Sequence, residues 1–135
     1  MVLGPEFEVR AASLFMDPGA GTSVYGSAFM TNAKGIGASL SFGFDNFYQC
    51  RYEVWGSKGK LSAERAFTPP PELRPKIILE TASGSEVILA DSDNHFIRAF
   101  EEFHRVCCSP ELRQDHYAQV LRQTQSLDQI RKLGS

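Results

Sequence analysis

Between residues 36 and 44 the chain alternates without a break. Ile36, Ala38, Leu40, Phe42 and Phe44 fall on one side, and Gly37, Ser39, Ser41 and Gly43 on the other. A period of two puts these sets on opposite faces of a β-sheet. The first set is apolar and calls for helices against it. The second is nearly bare of side chains, so another surface can approach its backbone closely. Two further strands are expected before it, at residues 7–16 and 22–31. Turn clusters at Asp17-Pro18-Gly19-Ala20-Gly21 and Asn32-Ala33-Lys34-Gly35 separate them.

After the turn Asp45-Asn46-Phe47, residues 48–55 mix aromatic and β-branched positions with alternate charges, which suits a half-buried pleated surface. Gly56-Ser57-Lys58-Gly59 offers two glycines free to take positive φ for a reversal. Leu61, Ala63, Arg65 and Phe67 then share one face of the returning strand. Thr68 leads into Pro69-Pro70-Pro71, which cannot donate ladder hydrogen bonds and so ends the pairing. A last hairpin, residues 76–81 and 86–90, turns at Ser83-Gly84-Ser85. Short loops joining about seven strands predict an antiparallel meander.

The pattern then changes period. Ser92 or Asp93 caps a helix in which Phe96, Ala99, Phe100, Phe103 and Val106 recur at helical spacing. Ser109-Pro110-Glu111 opens a second helix, with a capping hydroxyl, a proline at the first helical position and an acid in the first turn. Its stripe is Leu112, Tyr117, Val120, Leu121, Leu127 and Ile130, and Arg131 and Lys132 suit its C-terminal dipole. Strands first and helices after give an α+β class. The expectation is one domain over residues 1–135: an open antiparallel sheet of about seven strands over residues 7–90, with two helices over 93–133 packed on one face.

Composition changes this little. A net charge of −2 gives no reason to expect nucleic acid or an anionic membrane surface as partner. No apolar run approaches the roughly 18 residues of a membrane span. Met1-Val2-Leu3-Gly4-Pro5 lacks the basic and apolar regions of a signal peptide, so a cytoplasmic location is expected. Cys50, Cys107 and Cys108 are an odd count with two adjacent. They suit neither a disulfide framework nor a zinc site, and read as reduced thiols.

Catalytic candidates are scarce. His95, His104 and His116 all fall in the helical part, and the first two, nine residues apart, do not share a helix face. No Gly-x-Ser-x-Gly elbow occurs. Gly19-Ala20-Gly21 and Gly35-Ile36-Gly37 stand between strands, without the βαβ context of a dinucleotide fingerprint. Arg51, Glu53 and Trp55 share one face of the central strand. They are either a polar, aromatic-edged patch suited to a sugar or an ion pair on a solvated face. Arg65, beside the proline exit with Phe67, either reaches a phosphate bidentately or lies along the sheet edge.

The runs Ala38-Ser39-Leu40-Ser41-Phe42-Gly43-Phe44, Tyr52-Glu53-Val54-Trp55-Gly56, Gly59-Lys60-Leu61 and Arg65-Ala66-Phe67-Thr68-Pro69-Pro70, in this order, resemble the C-terminal, substrate-side domain of the Gfo/Idh/MocA oxidoreductases. The sugar ketoreductase branch is the nearest. In that family an N-terminal Rossmann domain holds NAD or NADP and supplies a catalytic lysine from Glu-Lys-Pro. A Tyr or His on a helix before the C-terminal sheet assists it. No lysine here stands in Glu-Lys-Pro, and the chain is expected to begin after that helix, so no catalytic or cofactor residue is carried over. The resemblance implies a substrate-binding and oligomerisation domain of an NAD(P)-dependent sugar or nucleotide-sugar oxidoreductase, inactive without its Rossmann domain. It further implies a homodimer formed through the face bearing Gly37, Ser39, Ser41 and Gly43. The alternatives are a free-standing binding or assembly module, or an unrelated α+β domain with a hydrolytic site of its own.

Overall fold

The computed structural model describes residues 7–67 and 69–134. Thr68, expected to lead into the proline exit, lies outside them, as does the N-terminal stretch read for a signal peptide. The order is β1 (Glu8–Asp17), β2 (Thr22–Thr31), β3 (Gly37–Gly43), β4 (Arg51–Gly56), β5 (Gly59–Glu64), β6 (Lys76–Thr81), β7 (Gly84–Leu89), α1 (His95–Cys108) and α2 (Pro110–Gly134). The α+β class and the seven antiparallel strands are as the pattern predicts. The pairing, however, is divided: β1-β2-β3 form one sheet and β4-β5-β6-β7 another. The expected continuous ladder breaks at residues 44–50, because the chain leaves β3 in a bend and re-enters extended pairing only at Arg51. The contacts accordingly fall into two compact units, residues 47–110 and the remainder.

In the first unit, antiparallel register decides which residues meet, since direct cross-strand partners share a face. Val9, Met30 and Ala38 line up, as do Ala12, Ala28 and Leu40, and Leu14, Gly26 and Phe42. A bulge between Val9 and Ala11 keeps Val9 in phase with Ala12 and Leu14. Ile130 of α2, 8% exposed, joins Val9 and Ala28 as the core, with Ala12, Leu14 and Met30 packed around it. Gly26 is required there. A Cβ would stand 2.6 Å from the Leu14 side chain and 2.8 Å from the Ser13 carbonyl oxygen. The amide of Val9 also donates to Gln129 Oε1 (3.4 Å), tying β1 to α2. The apolar set of β3 thus lies on the face against which Ile130 packs, with Leu40 and Phe42 left exposed.

The opposite face carries Gly37, Ser39, Ser41 and Gly43, as the alternation requires, but it is not bare. Its cross-strand partners are Thr31, Phe29, Ser27 and Tyr25, with Phe15 beyond Tyr25. The Phe15 and Tyr25 rings stack at 4.6 Å with planes 8° apart. The Phe29 ring leans over Gly37, at 3.1 Å from where a Cβ would be. The small residues of β3 therefore seat aromatics from β2.

The second unit separates its faces in the same way. Tyr52, Ala63, Ile77 and Ile88 share one, with Val54, Leu61 and Leu79. Arg51, Glu53, Trp55, Lys60, Ser62, Glu64, Ile78 and Glu80 share the other. The β4–β5 hairpin reverses at Ser57-Lys58 without positive φ at Gly56 or Gly59, contrary to expectation. Gly59 serves space instead, because the Glu80 backbone oxygen occupies the place of its Cβ. Asn94, not Ser92 or Asp93, caps α1. Its side-chain oxygen accepts from the amides of Phe96 (3.1 Å) and Ile97 (3.2 Å). Asp93 instead grips Arg98 Nε at 3.0 Å. Helix α1 has no buried residue, and Phe96, Phe100 and Phe103 stay exposed, so the packing expected of both helices is seen for α2 alone.

Truncating Ile130 leaves a hole between Val9 and Ala28, so Ile130→Ala should cost about 2–4 kcal/mol in chemical denaturation. A cost under about 0.5 kcal/mol would contradict this core. The Arg98 guanidinium, chiefly by hydrogen bonding, holds the Asp93 carboxyl below the ordinary aspartate value. The stabilisation from this pair is therefore complete above the ordinary value and is lost as pH falls through the lowered one. An NMR titration should place the Asp93 midpoint below that of a free aspartate; a midpoint at or above it would refute the pairing.

Candidate functional site

The site begins where regular pairing stops. Arg51 and Glu64 are the last partners of the β4–β5 ladder. The next hydrogen bond runs from the Ala66 amide to the Cys50 carbonyl (3.2 Å), so Arg65 is an extra residue opposite no partner. It takes φ of +54°, the only positive φ at a non-glycine among the described residues. This is a β-bulge with arginine where glycine would be the unstrained choice. A left-handed conformation costs an ordinary residue about 1–2 kcal/mol. The bulge corrects the expectation that Leu61, Ala63, Arg65 and Phe67 continue one face: the alternation ends at Glu64.

Two contacts hold the bulge. The Cys50 thiol donates to the Phe67 carbonyl (3.0 Å), and its sulfur accepts the Phe67 amide (3.2 Å), fixing the strand exit on both sides. The Arg65 guanidinium lies 4.7 Å from the centre of the Tyr48 ring. At an exposed position such a cation–π contact is worth about 0.5–1 kcal/mol. No carboxylate pairs with Arg65 among the described residues, so its planar donors stay available.

Phe47, Tyr48, Gln49, Cys50, Arg51, Glu64 and Arg65 line an open-sided pocket of about 440 Å³. That size lies within the roughly 300–1,000 Å³ of small-ligand sites. Phe47, 98% exposed, presents its ring to solvent at the rim. The wall therefore combines two guanidinium groups, one carboxylate and two aromatic rings.

Of the five residues singled out for substrate, the structure brings Arg51 and Arg65 together in this pocket. Phe67 is bound to it through Cys50 but does not line it. Glu53 pairs with Arg51 (3.5 Å) with both side chains partly exposed, a contact worth at most about 1 kcal/mol. Trp55, 81% exposed, lies four positions from Arg51 on the same face, about 13 Å along the strand. Between them the face carries Ser62, buried, and Lys60, whose ammonium contacts Glu80 at 2.6 Å. That hydrogen bond raises the Lys60 pKa above its ordinary value. The four small residues Gly37, Ser39, Ser41 and Gly43 belong to the other sheet.

Sequence reasoning missed Phe47, Tyr48, Gln49, Cys50 and Glu64 as lining residues. The Phe47-Tyr48 pair at the end of a turn was the available signal; nothing in the sequence marks a bulge at an arginine. Elsewhere, His104 Nε2 approaches Cys108 Sγ at 3.8 Å on exposed α1, and no cluster of metal-ligating groups occurs among the described residues. No helix there is long and apolar enough to cross a membrane.

Comparison with known proteins agrees with this architecture. No family model matches the chain. Three curated relatives share the description dTDP-3,4-didehydro-2,6-dideoxy-alpha-D-glucose 3-reductase. The one from Actinomadura kijaniata is 29% identical over 97% of this chain and 40% of its own length. That from Streptomyces antibioticus is 27% identical over 95% and 39%. That from Saccharopolyspora spinosa is 32% identical over 77% and 31%. A crystal structure of the Actinomadura kijaniata 3-ketoreductase in complex with NADP superposes with a TM-score of 0.90 at 29% identity, covering 97% of this chain and 42% of that one. A mutant of the same enzyme in complex with TDP-benzene and NADP gives the same values. The chain thus spans about two fifths of the length of the relatives it matches. Its relatives are dTDP-sugar 3-ketoreductases, and over nearly its whole length the chain matches a C-terminal domain of a Gfo/Idh/MocA-like oxidoreductase.

Proposed function

We propose that residues 1–135 act as one substrate-side and oligomerisation domain of an NADP-dependent nucleotide-sugar ketoreductase. The observation that carries this is the superposition of 97% of this chain on 42% of a mutant 3-ketoreductase crystallised with TDP-benzene and NADP. The β4–β5 face supplies the sugar-nucleotide wall: Arg51 and Arg65 at the pocket end, Glu53 and Trp55 along the strand, and Phe67 fixing the exit. The chain's own residues contain no hydride donor and no Glu-Lys-Pro lysine, so its work is to bind and orient. A domain outside this chain, of the Rossmann type, would hold NADP and carry out the reduction, and the working enzyme would be cytoplasmic.

Oligomerisation uses the other sheet. Phe15, Tyr25 and Phe29 are 44–47% exposed on the face that also carries Gly37, Ser39, Ser41 and Gly43. Aromatics seated on small residues give a flat apolar surface, of the kind that marks a protein interface. A two-fold dimer would cover it with its own copy.

Two measurements test this reading. Calorimetry on the purified chain should show binding of thymidine diphosphate and none of NADP; binding of NADP alone would reverse the assignment. Sedimentation should show a dimer. Ser39→Glu, which buries an unpaired carboxylate at the interface, should weaken it at least about 100-fold while leaving the monomer folded. A wild-type monomer at all concentrations, or an unaffected dimer in the variant, would contradict the interface.

A further inference from the structure

We propose that His104 and Cys108 form half of a tetrahedral zinc site, which a second copy of this chain completes with the same two residues. Neither residue belongs to the pocket or to the sheet face described above, and the site does not depend on the substrate-side reading.

Spacing is the first ground. His104 and Cys108 stand four apart on α1, so they are neighbours on one side of the helix. His104 Nε2 and Cys108 Sγ approach to 3.8 Å. A zinc ion bonded to imidazole nitrogen at about 2.0–2.1 Å and to thiolate at about 2.3 Å holds those two atoms about 3.6 Å apart at the tetrahedral angle. The pair therefore reaches one cation with almost no rearrangement. On binding, Nε2 offers its lone pair and the thiol gives its proton to solvent. Position is the second ground. Cys108 is the last residue of α1, where the carbonyl end of the helix dipole favours a cation. Both side chains are exposed, so an ion can enter. Imidazole with thiolate selects zinc over magnesium and calcium, which take oxygen ligands.

Two ligands do not close a structural zinc site, which takes four. No group of three or more metal-ligating side chains occurs among the described residues, so the chain alone offers half a site. The helix surface around the pair says what supplies the rest. Phe96, Phe100, His104 and Cys108 recur at every fourth position and make one ridge of α1. Phe96 and Phe100 are 71% and 73% exposed, and the helix buries no residue. Two copies meeting by this ridge about a two-fold axis cover the phenylalanines and bring two imidazoles and two thiolates to one ion. That ligand set is a known tetrahedral zinc shell, and its two thiolates balance the charge of the ion.

The test is titration of the whole reduced chain with cobalt(II), a coloured stand-in for zinc. One cobalt should bind per two chains, with the visible bands of a tetrahedral ion and thiolate charge transfer, and zinc should displace it. Cys108→Ser and His104→Ala, both at exposed helix positions, should each weaken binding at least about 100-fold, more than an outer-shell change costs. Cys107→Ser should leave it unchanged. Phe100→Ala removes no ligand, yet it should weaken binding at least about tenfold because the second copy loses an apolar contact. One cobalt per chain, or wild-type affinity in Phe100→Ala, would overturn the shared site. No cobalt binding, or binding that survives Cys108→Ser or is lost in Cys107→Ser, would overturn the assignment of the ligands.

Discussion

Antiparallel pairing is the constraint from which the rest of this protein follows. Direct partners across an antiparallel ladder point to the same side, so once the register of β1, β2 and β3 is set, every side chain of that sheet is assigned a face. Val9, Ala28 and the Ile130 contact fall on one face and Phe15, Tyr25 and Phe29 on the other. The same constraint in β4–β7 gathers Arg51, Glu53, Trp55 and Lys60 on a single polar side. Among the described residues two helices follow the strands, and α2 contributes a single buried residue. Much apolar surface is left half-exposed as a consequence.

Where the register is interrupted, chemistry becomes possible. The bulge at Arg65 removes one residue from the alternation, and the thiol of Cys50 stabilises the altered path by bonding both backbone groups of Phe67. The same few residues form the pocket wall. A regular strand would have sent Arg65 to the side of Leu61 and Ala63, where a guanidinium would displace apolar packing. The local strain of about 1–2 kcal/mol is offset in part by the Tyr48 ring, and the result is a cation held in place beside a cavity.

Much of this was legible in the residues. The strict alternation at 36–44, the turn clusters at Asp17 and Asn32 and the change of period near Phe96 predict the strands, reversals and helices that the structure has. Period two also placed Arg51, Glu53 and Trp55 together correctly. What escaped was any feature that depends on register rather than period. The break between β3 and β4, the Phe29 ring over Gly37 and the bulge at Arg65 all arise from which residue stands opposite which, and one strand's sequence does not encode its partner's offset. The cap of α1 shows a smaller version: Ser92, Asp93 and Asn94 are all good caps, and the choice of Asn94 left Asp93 free to pair with Arg98.

The central claim is that an interrupted ladder, not the smooth sheet, holds the anionic part of the ligand. A crystal structure of this chain grown with thymidine diphosphate addresses it most directly. The account predicts phosphate oxygens within hydrogen-bond distance of the Arg65 guanidinium and the thymine ring against Phe47 or Tyr48. Density for the nucleotide on the Gly37–Gly43 face instead, with Arg65 still stacked on Tyr48 and touching nothing else, would contradict it.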